Sequence, residues 1–257
     1  MRSIIALLQF CTSLPLGRPV EFEQFARRSY LYPLAGYVIG GRRPLPPRRS
    51  YLYPLAGYVI GGIAAGTVCW IESPAVGAAV ALAVVLILSG CNHFDGLLDF
   101  GDGLMAHGSR EKRVAAMTDR TTGAGALAAG IIVTLIAFTG LMDATHLPAA
   151  ILTAEVLAKV AMSYLTTLGA PFREGIHSYL HGFARPWFLI PATLLALPLF
   201  LLPVPAMNIA FMLATTAVIV AVMLLLSRNL FGGVNGDVVG ATNEITRAGV
   251  LLLLALL

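Results

Sequence analysis

Long apolar runs separated by short polar segments dominate this chain of 257 residues. Six of them are close to the ~20 residues that an α-helix needs to cross a bilayer. They cover residues 51–70, 74–90, 123–142, 148–169, 187–204 and 206–226, and a seventh that begins near Ala248 is too short to cross alone. Only 12% of the residues are charged, against roughly 25% in a soluble domain. No β-barrel alternation is visible, so we expect one all-α, polytopic transmembrane helical bundle of about six to seven spans over residues 1–257.

The basic residues predict how this bundle is oriented. All of the 17 Lys and Arg residues except Lys159 fall in the segments 1–50, 91–122, 170–186 and 227–247. The turns near residues 71–73, 143–147 and 205 contain none. Because cytoplasmic loops carry the excess of Lys and Arg, we expect a cytoplasmic (inner) cell membrane protein whose active site faces the cytoplasm.

An identical duplication lies near the amino terminus. The sequence RRSYLYPLAGYVIGG occupies residues 27–41 and again residues 48–62. A repeat architecture would continue and diverge, and this duplication does neither. We expect the second copy to run into the first spanning helix, and residues 1–50 to form a cytoplasmic or interfacial amino-terminal part.

Three aspartates follow the second apolar run within the segment NHFDGLLDFGDG, residues 92–103. If this segment is helical, Asp95, Asp99 and Asp102 project from one face within an arc of roughly 60°. Three like charges on one stripe repel each other, and hard oxygen ligands select ions such as Mg²⁺. The pattern therefore predicts a metal site, and diphosphate substrates are commonly held through Mg²⁺ at such sites. The alternative is a solvated acidic helix end.

Lys159 lies inside the fourth apolar run, one turn after Glu155. An ionisable residue inside a membrane span is a functional candidate, facing the bundle interior or a polar cavity. The alternative, a self-neutralising structural pair, is left open. His93 is expected on the opposite side of its helix from the carboxylates, as a substrate contact or a cap.

Five motifs resemble those of one family. NHFDGLLDFGDGL is similar to the HxDGLxDxxDGL signature of the cobalamin synthase (adenosylcobinamide-GDP ribazoletransferase) family. The segments 117–128, 170–178 and 232–244, and the Tyr-Pro-Leu-x-Gly run of the duplication, resemble four further motifs in the family's order. Three positions depart from the pattern: Asn235 replaces a Thr, and Thr121 with Thr122 disturbs the order after Asp119.

The resemblance implies a Mg²⁺-dependent transferase that acts late in cobalamin biosynthesis. Adenosylcobinamide-GDP and α-ribazole, or its 5′-phosphate, would give adenosylcobalamin, or its phosphate, and GMP. Asp95, Asp99 and Asp102 would bind the metal, and Asp102 or else Asp119 would take the hydroxyl proton. The candidate substrate-binding residues are Asn92, His93, Arg120, Lys159, Arg173, Glu174 and Asp237, with Arg228 as a further phosphate partner.

Alternatives remain for several of these residues. Each arginine can instead be a headgroup-facing topology charge, and Asp237 can be a turn or a helix cap. The expected partners are the two substrates and the lipid bilayer. We expect no nucleic acid, because the basic residues are loop charges, and a homo-oligomer is left open.

Two other functions compete with this interpretation. A CDP-alcohol-type membrane phosphotransferase also combines a membrane, Mg²⁺ and a diphosphate, but Leu97-Leu98-Asp99 after Gly96 fits its signature poorly. A cation-coupled transporter would bind ions at carboxylates inside a bundle, near the bilayer midplane. Here the acids cluster at one predicted edge, and no inverted repeat is visible.

Overall fold

The computed structural model describes Thr12 and residues 50–257. Within these residues ten α-helices form, and no β-strand does. They are α1 (Tyr53–Val68), α2 (Pro74–Leu88), α3 (Asn92–Met105), α4 (Arg110–Met117), α5 (Ala124–Met142), α6 (Leu147–Leu168), α7 (Ile176–Phe183), α8 (Leu189–Leu194), α9 (Ala206–Leu230) and α10 (Gly236–Leu256). Short 3₁₀ turns precede α1 and flank α8.

Five of these helices are long and apolar enough to cross a membrane: α1, α5, α6, α9 and α10. The number rises to seven if each of two sharply bent helix pairs counts as one span. The prediction of an all-α membrane bundle with about six to seven spans is therefore confirmed. The second copy of the duplication, 48–62, leads into α1 as predicted, whereas the first copy, 27–41, lies outside the described residues.

Helices α6 and α10 form the centre of the bundle. Helix α6 packs against α1 on one side and α10 on the other, and α10 also contacts α3, α5 and α9. The outer faces of α5 and α9 carry exposed large apolar side chains, among them Ile131, Leu135, Val218 and Leu225. Such faces are stable against lipid tails, since lipid removes the cost of leaving them unpacked.

Helix α3 turns away from α2 by 94°. Gly90 and Cys91 both adopt left-handed backbone angles, with φ of 61° and 57°, and so redirect the chain between the two helices. The aspartate stripe is therefore carried by a separate helix that does not continue the direction of α2.

The fifth predicted span, 187–204, is not one continuous helix. It consists of the 3₁₀ turn Pro186–Phe188, helix α8 and a second 3₁₀ turn, Leu197–Leu201, and with α7 it forms the second bent pair, at 96°. Pro191 and Pro198 lie inside this stretch. Proline cannot donate the backbone hydrogen bond and its ring clashes with the preceding turn, so an apolar run with internal prolines breaks into short pieces.

The last helix also differs from the prediction. The apolar run from Ala248 is the second half of α10, which begins at Gly236 and is 21 residues long. Arg247, expected in a connecting loop, lies in the middle of α10 with only 2% of its surface exposed. It forms ion pairs with Glu155 of α6 and Glu244 of α10, and this pairing allows a charged residue to lie inside an apolar bundle.

Candidate active site

A cleft of about 710 Å³ opens at the end of the bundle where α5, α7 and α10 begin and where α3 lies. Among the described residues its lining includes six carboxylates and two arginines: Asp95, Asp99, Asp102, Asp119, Glu174, Asp237, Arg120 and Arg173. All eight were predicted as site residues. The connections at this end also carry Arg110, Lys112, Arg113 and Arg185, whereas those at the opposite end, 69–73, 143–146 and 202–205, contain no Lys or Arg.

The predicted aspartate stripe is present on α3. Asp95 is exposed, and Asp99 and Asp102 are partly buried; all three face the cleft. The negative charges of Asp237, Asp95 and Asp102 all act on Asp99, and only the positive charge of Arg173 opposes them. The site thus concentrates negative charge around Asp99, an arrangement that favours a bound cation.

Asp102 differs from the other two aspartates in its contacts. Its Oδ2 accepts a hydrogen bond of 2.8 Å from the amide of Gly123, and its Oδ1 accepts one of 2.8 Å from the amide of Ala126. Both amides belong to the amino terminus of α5, which begins at Ala124. The carboxylate of Asp102 therefore joins α3 to α5.

Asp237 enters the cleft from the first turn of α10. Its Oδ2 accepts hydrogen bonds from Arg173 Nη2 at 3.1 Å and from Asn235 Nδ2 at 2.6 Å. Asn235 also caps α10, because its Oδ1 accepts from the amide of Val238. A side chain at Gly96 of α3 would lie 2.9 Å from the carbonyl oxygen of Asp237. The absence of one lets α10 approach the aspartate stripe.

Asp119 lies on the loop between α4 and α5. The amide and the hydroxyl of Thr121 donate hydrogen bonds to its Oδ1, at 2.9 and 2.8 Å. These bonds stabilise the ionised form and lower the pKa of the Asp119 carboxyl below its ordinary value. A carboxylate with a lowered pKa is a weaker proton acceptor, so these contacts favour binding or positioning over general-base catalysis for Asp119.

Four other candidates lie outside the cleft lining. Asn92 is exposed at the start of α3, and Arg228 is exposed in the last turn of α9. His93 is 7% exposed, and the positive charges of Lys159 and Arg247 act on its ring. It lies off the carboxylate face of α3, as predicted.

Lys159 belongs to a buried ionic network between α6 and α10. It is fully buried, donates a hydrogen bond of 2.7 Å to Asn243 Oδ1 and lies 3.8 Å from Glu155 Oε2. Arg247 then connects Glu155 to Glu244. Two acids and two bases therefore balance one another, which matches the structural alternative for the Glu155–Lys159 pair.

The cleft residues that were not predicted as site residues include three with polar side chains: Thr121, His177 and Asn235. His177 is buried, and its Nε2 lies 2.8 Å from the carbonyl oxygen of Gly169. All three fall inside the motif segments 117–128, 170–178 and 232–244. Position within a motif, more than residue type, was the signal that could have found them.

Comparison with known proteins decides the family. The family model for cobalamin-5-phosphate synthase matches residues 43–255. The chain belongs to this family. Its match begins after the first copy of the duplication and includes the whole cleft. As a member of the cobalamin-5-phosphate synthase family, the chain is a membrane transferase of cobalamin biosynthesis.

Curated relatives support the same conclusion. The chain is 35% identical over 278 residues to an adenosylcobinamide-GDP ribazoletransferase of Methanocella arvoryzae, covering 98% of this chain and 94% of the relative. Proteins of the same name from Halorubrum lacusprofundi and Methanosarcina mazei are 34% and 31% identical, over 95% and 96% of this chain and 93% and 89% of theirs. No solved structure matches. Family membership favours neither the CDP-alcohol phosphotransferase nor the transporter.

Proposed function

We propose that this chain transfers the adenosylcobinamide-phosphate group from adenosylcobinamide-GDP to α-ribazole, or to its 5′-phosphate, with the help of Mg²⁺. The products are adenosylcobalamin, or its phosphate, and GMP. The observation that carries the proposal is the cleft, which brings carboxylates of α3 and α10 together with Arg173 in a member of this family. The printed name of the relatives agrees with the two substrates.

The transfer needs one bond to form and one to break. A ribose hydroxyl oxygen of the ribazole attacks the phosphorus that is attached to cobinamide, and the bond from that phosphorus to the bridging oxygen breaks. GMP leaves with the bridging oxygen, and the hydroxyl proton passes to water. Such a reaction depends on in-line positioning and on offsetting developing negative charge, more than on covalent help from the protein.

The donor set of the cleft fits a magnesium ion. Mg²⁺ prefers oxygen ligands and is commonly held by one or two carboxylates together with substrate phosphates. Asp95 and Asp99 would hold the ion with Asp237 beside them, and the bound ion would neutralise charge on the diphosphate. In the described part of the chain, there is no group of three or more His, Cys, Asp or Glu side chains that could hold a metal ion by itself. Phosphate oxygens of the substrate would supply the missing ligands.

Arginines of the cleft supply the remaining positive charge. Arg173 is 41% exposed and is held by Asp237, so its guanidinium can turn part of its hydrogen-bonding edge to a phosphate. Arg120 lies across the cleft on the loop between α4 and α5. Glu174, next to Arg173, is placed to accept hydrogen bonds from a sugar or base.

GMP release tests the proposal. Membranes containing the full chain receive adenosylcobinamide-GDP, α-ribazole and Mg²⁺, and GMP is measured with each component omitted in turn. We expect release only when all three are present, and release at least about a hundredfold slower from the matched Asp99→Asn variant. Deletion of residues 42–62 leaves one copy of the duplicated sequence before Ile63, so this variant should also release GMP. Absence of release from both chains, in membranes that contain them, would contradict the proposal.

Two cysteines test the proposed cytoplasmic orientation of the cleft. Cys91 lies beside the cleft and Cys69 at the opposite end of the bundle, and both are free and exposed. With Cys11 replaced by serine, a membrane-impermeant maleimide added to intact cells should label a chain retaining only Cys69. A chain retaining only Cys91 should be labelled only in inverted vesicles. The reverse pattern would place the cleft outside the cytoplasm.

A further inference from the structure

The carboxylate of Asp102 lies at the amino terminus of α5, which lacks a capping side chain of its own. The first amides of a helix have no partner within the helix, and a side chain at the N-cap position normally accepts from the third helical residue. In α5 the N-cap residue is Gly123, which has no side chain, and the third helical residue is Ala126. The carboxylate of Asp102 accepts from both amides instead.

These two hydrogen bonds match those of a capping box, but a single carboxylate from another helix, α3, accepts both. In a capping box, one side chain accepts from the amide of the third residue and another accepts from the amide of the N-cap residue. Asp102 satisfies both amides from a different helix. Its negative charge also lies at the positive end of the α5 dipole, where carboxylates are stabilised.

Gly123 is shaped to admit this carboxylate. A Cβ at Gly123 would lie 2.5 Å from Asp102 Oδ1, 3.0 Å from its Cγ and 3.2 Å from its Oδ2. The three nearest obstructions all belong to Asp102. The backbone at Gly123, with φ of −92° and ψ of −179°, is the extended conformation that an ordinary N-cap residue adopts. A glycine at residue 123 is therefore required by the close approach of Asp102, and not by the backbone angles of Gly123.

We infer that Asp102 is a positioning residue that caps α5 and so fixes the loop carrying Asp119 and Arg120 along the cleft, whereas Asp95 and Asp99 face the substrates. The three aspartates of the motif then have two different tasks. Each oxygen of Asp102 accepts from an amide of α5, while Asp95 accepts no such pair of bonds in the described structure. For its activity readout, this inference rests on the proposed transferase function.

A relocated cap tests the inference. Asp102→Ala should lower kcat/KM for GMP release at least tenfold, and Gly123→Ser alone should also lower it, because its Cβ would meet the carboxylate. The double variant Asp102→Ala/Gly123→Ser removes the obstruction and places a capping hydroxyl at the N-cap position. We expect it to recover turnover to within about threefold of wild type, since serine caps helices well. A serine at residue 123 cannot replace a metal-binding or proton-accepting carboxylate at residue 102.

Amide hydrogen exchange supplies a readout that does not depend on turnover. Exchange in the segment 118–127 should accelerate in Asp102→Ala and slow again in the double variant. A second double variant, Asp102→Ala/Gly123→Asp, guards against a serine that fails to cap. If exchange recovers in either double variant and turnover does not, Asp102 acts directly on the substrates and the inference is overturned.

Exchange that is unchanged in Asp102→Ala, or that neither double variant restores, would overturn the inference as well. Failure of the proposed function looks different, because the wild type itself would then release no GMP while the exchange comparison still reports on the cap.

Discussion

Two charged regions of this molecule, the cleft and the interior network of α6 and α10, differ in how their charges are balanced. In the described lining of the cleft, six carboxylates face two arginines, and the region opens to solvent. In the interior, Glu155 and Glu244 face Lys159 and Arg247, and all four are buried. A buried network whose two acids and two bases balance does not itself favour a bound ion. An open region with excess negative charge favours a cation, and a cation attracts phosphates.

The comparison separates two roles of a charged residue in an apolar chain: one in stability and one in ligand binding. Removing one member of a balanced, buried network leaves an uncompensated charge inside the bundle, which lowers stability. Removing one carboxylate from the open region relieves repulsion and leaves the fold intact, but it removes a ligand. The same kind of substitution should therefore act on stability in one region and on turnover in the other.

The largest effect is expected for Arg247→Met. The change leaves Glu155 and Glu244 without their shared partner, and breaking a buried ion pair in this way costs about 3–5 kcal/mol. Thermal unfolding of the full chain in lipid nanodiscs should show a large drop in Tm. The matched control is Arg173→Met, whose pair with Asp237 is partly exposed and should cost about 1 kcal/mol or less. Equal losses of stability would contradict the distinction.

Asp99→Asn should give the next largest effect, on turnover. The substitution keeps the shape of the side chain and removes the charge at the centre of the acidic stripe. Loss of one group that stabilises developing charge typically lowers kcat by 10² to 10³-fold, or about 3–4 kcal/mol. GMP release should fall accordingly while the Tm stays level or rises. A fall in Tm comparable to that of Arg247→Met would place Asp99 among the structural charges.

Arg173→Met should have a smaller effect on turnover. A charge-assisted hydrogen bond to a phosphate is worth about 1.5–3 kcal/mol, which corresponds to roughly 10 to 100-fold in kcat/KM. The loss should appear mainly in KM for adenosylcobinamide-GDP, since the arginine is proposed to hold the diphosphate. Arg173→Lys keeps the charge and should retain part of the activity. An unchanged KM in Arg173→Met would contradict the proposed binding of the diphosphate by Arg173.

Sequence patterns predicted the cleft better than they predicted the interior. Asp95, Asp99 and Asp102 are close in the chain, and helix periodicity alone puts them on one face. Contacts between distant residues of the cleft could not be predicted in this way: Gly123 is 21 residues from Asp102, and Arg173 is 64 residues from Asp237. Local patterns indicate which residues share a helix face, but they do not indicate what each residue contacts.

Hydropathy failed at two particular places for physical reasons. It placed Arg247 in a loop because hydropathy considers only neighbouring residues. Glu155, which neutralises Arg247, lies 92 residues away in the chain. Hydropathy predicts 187–204 as a span because the side chains are apolar, although Pro191 and Pro198 prevent a continuous helix. Apolar side chains indicate where lipid can be, whereas backbone hydrogen bonds decide where a helix continues.

The most direct test of the central claim is metal binding itself. Electron paramagnetic resonance can measure binding of Mn²⁺, which uses the same oxygen ligands as Mg²⁺, to the purified full chain in the presence of adenosylcobinamide-GDP. If the cleft binds the metal and the interior network does not, Asp95→Asn/Asp99→Asn should weaken Mn²⁺ binding at least tenfold. Glu155→Gln in the interior network should leave Mn²⁺ binding within about twofold of wild type. Equal binding by the wild type and the cleft variant, or an equal loss in Glu155→Gln, would contradict this claim.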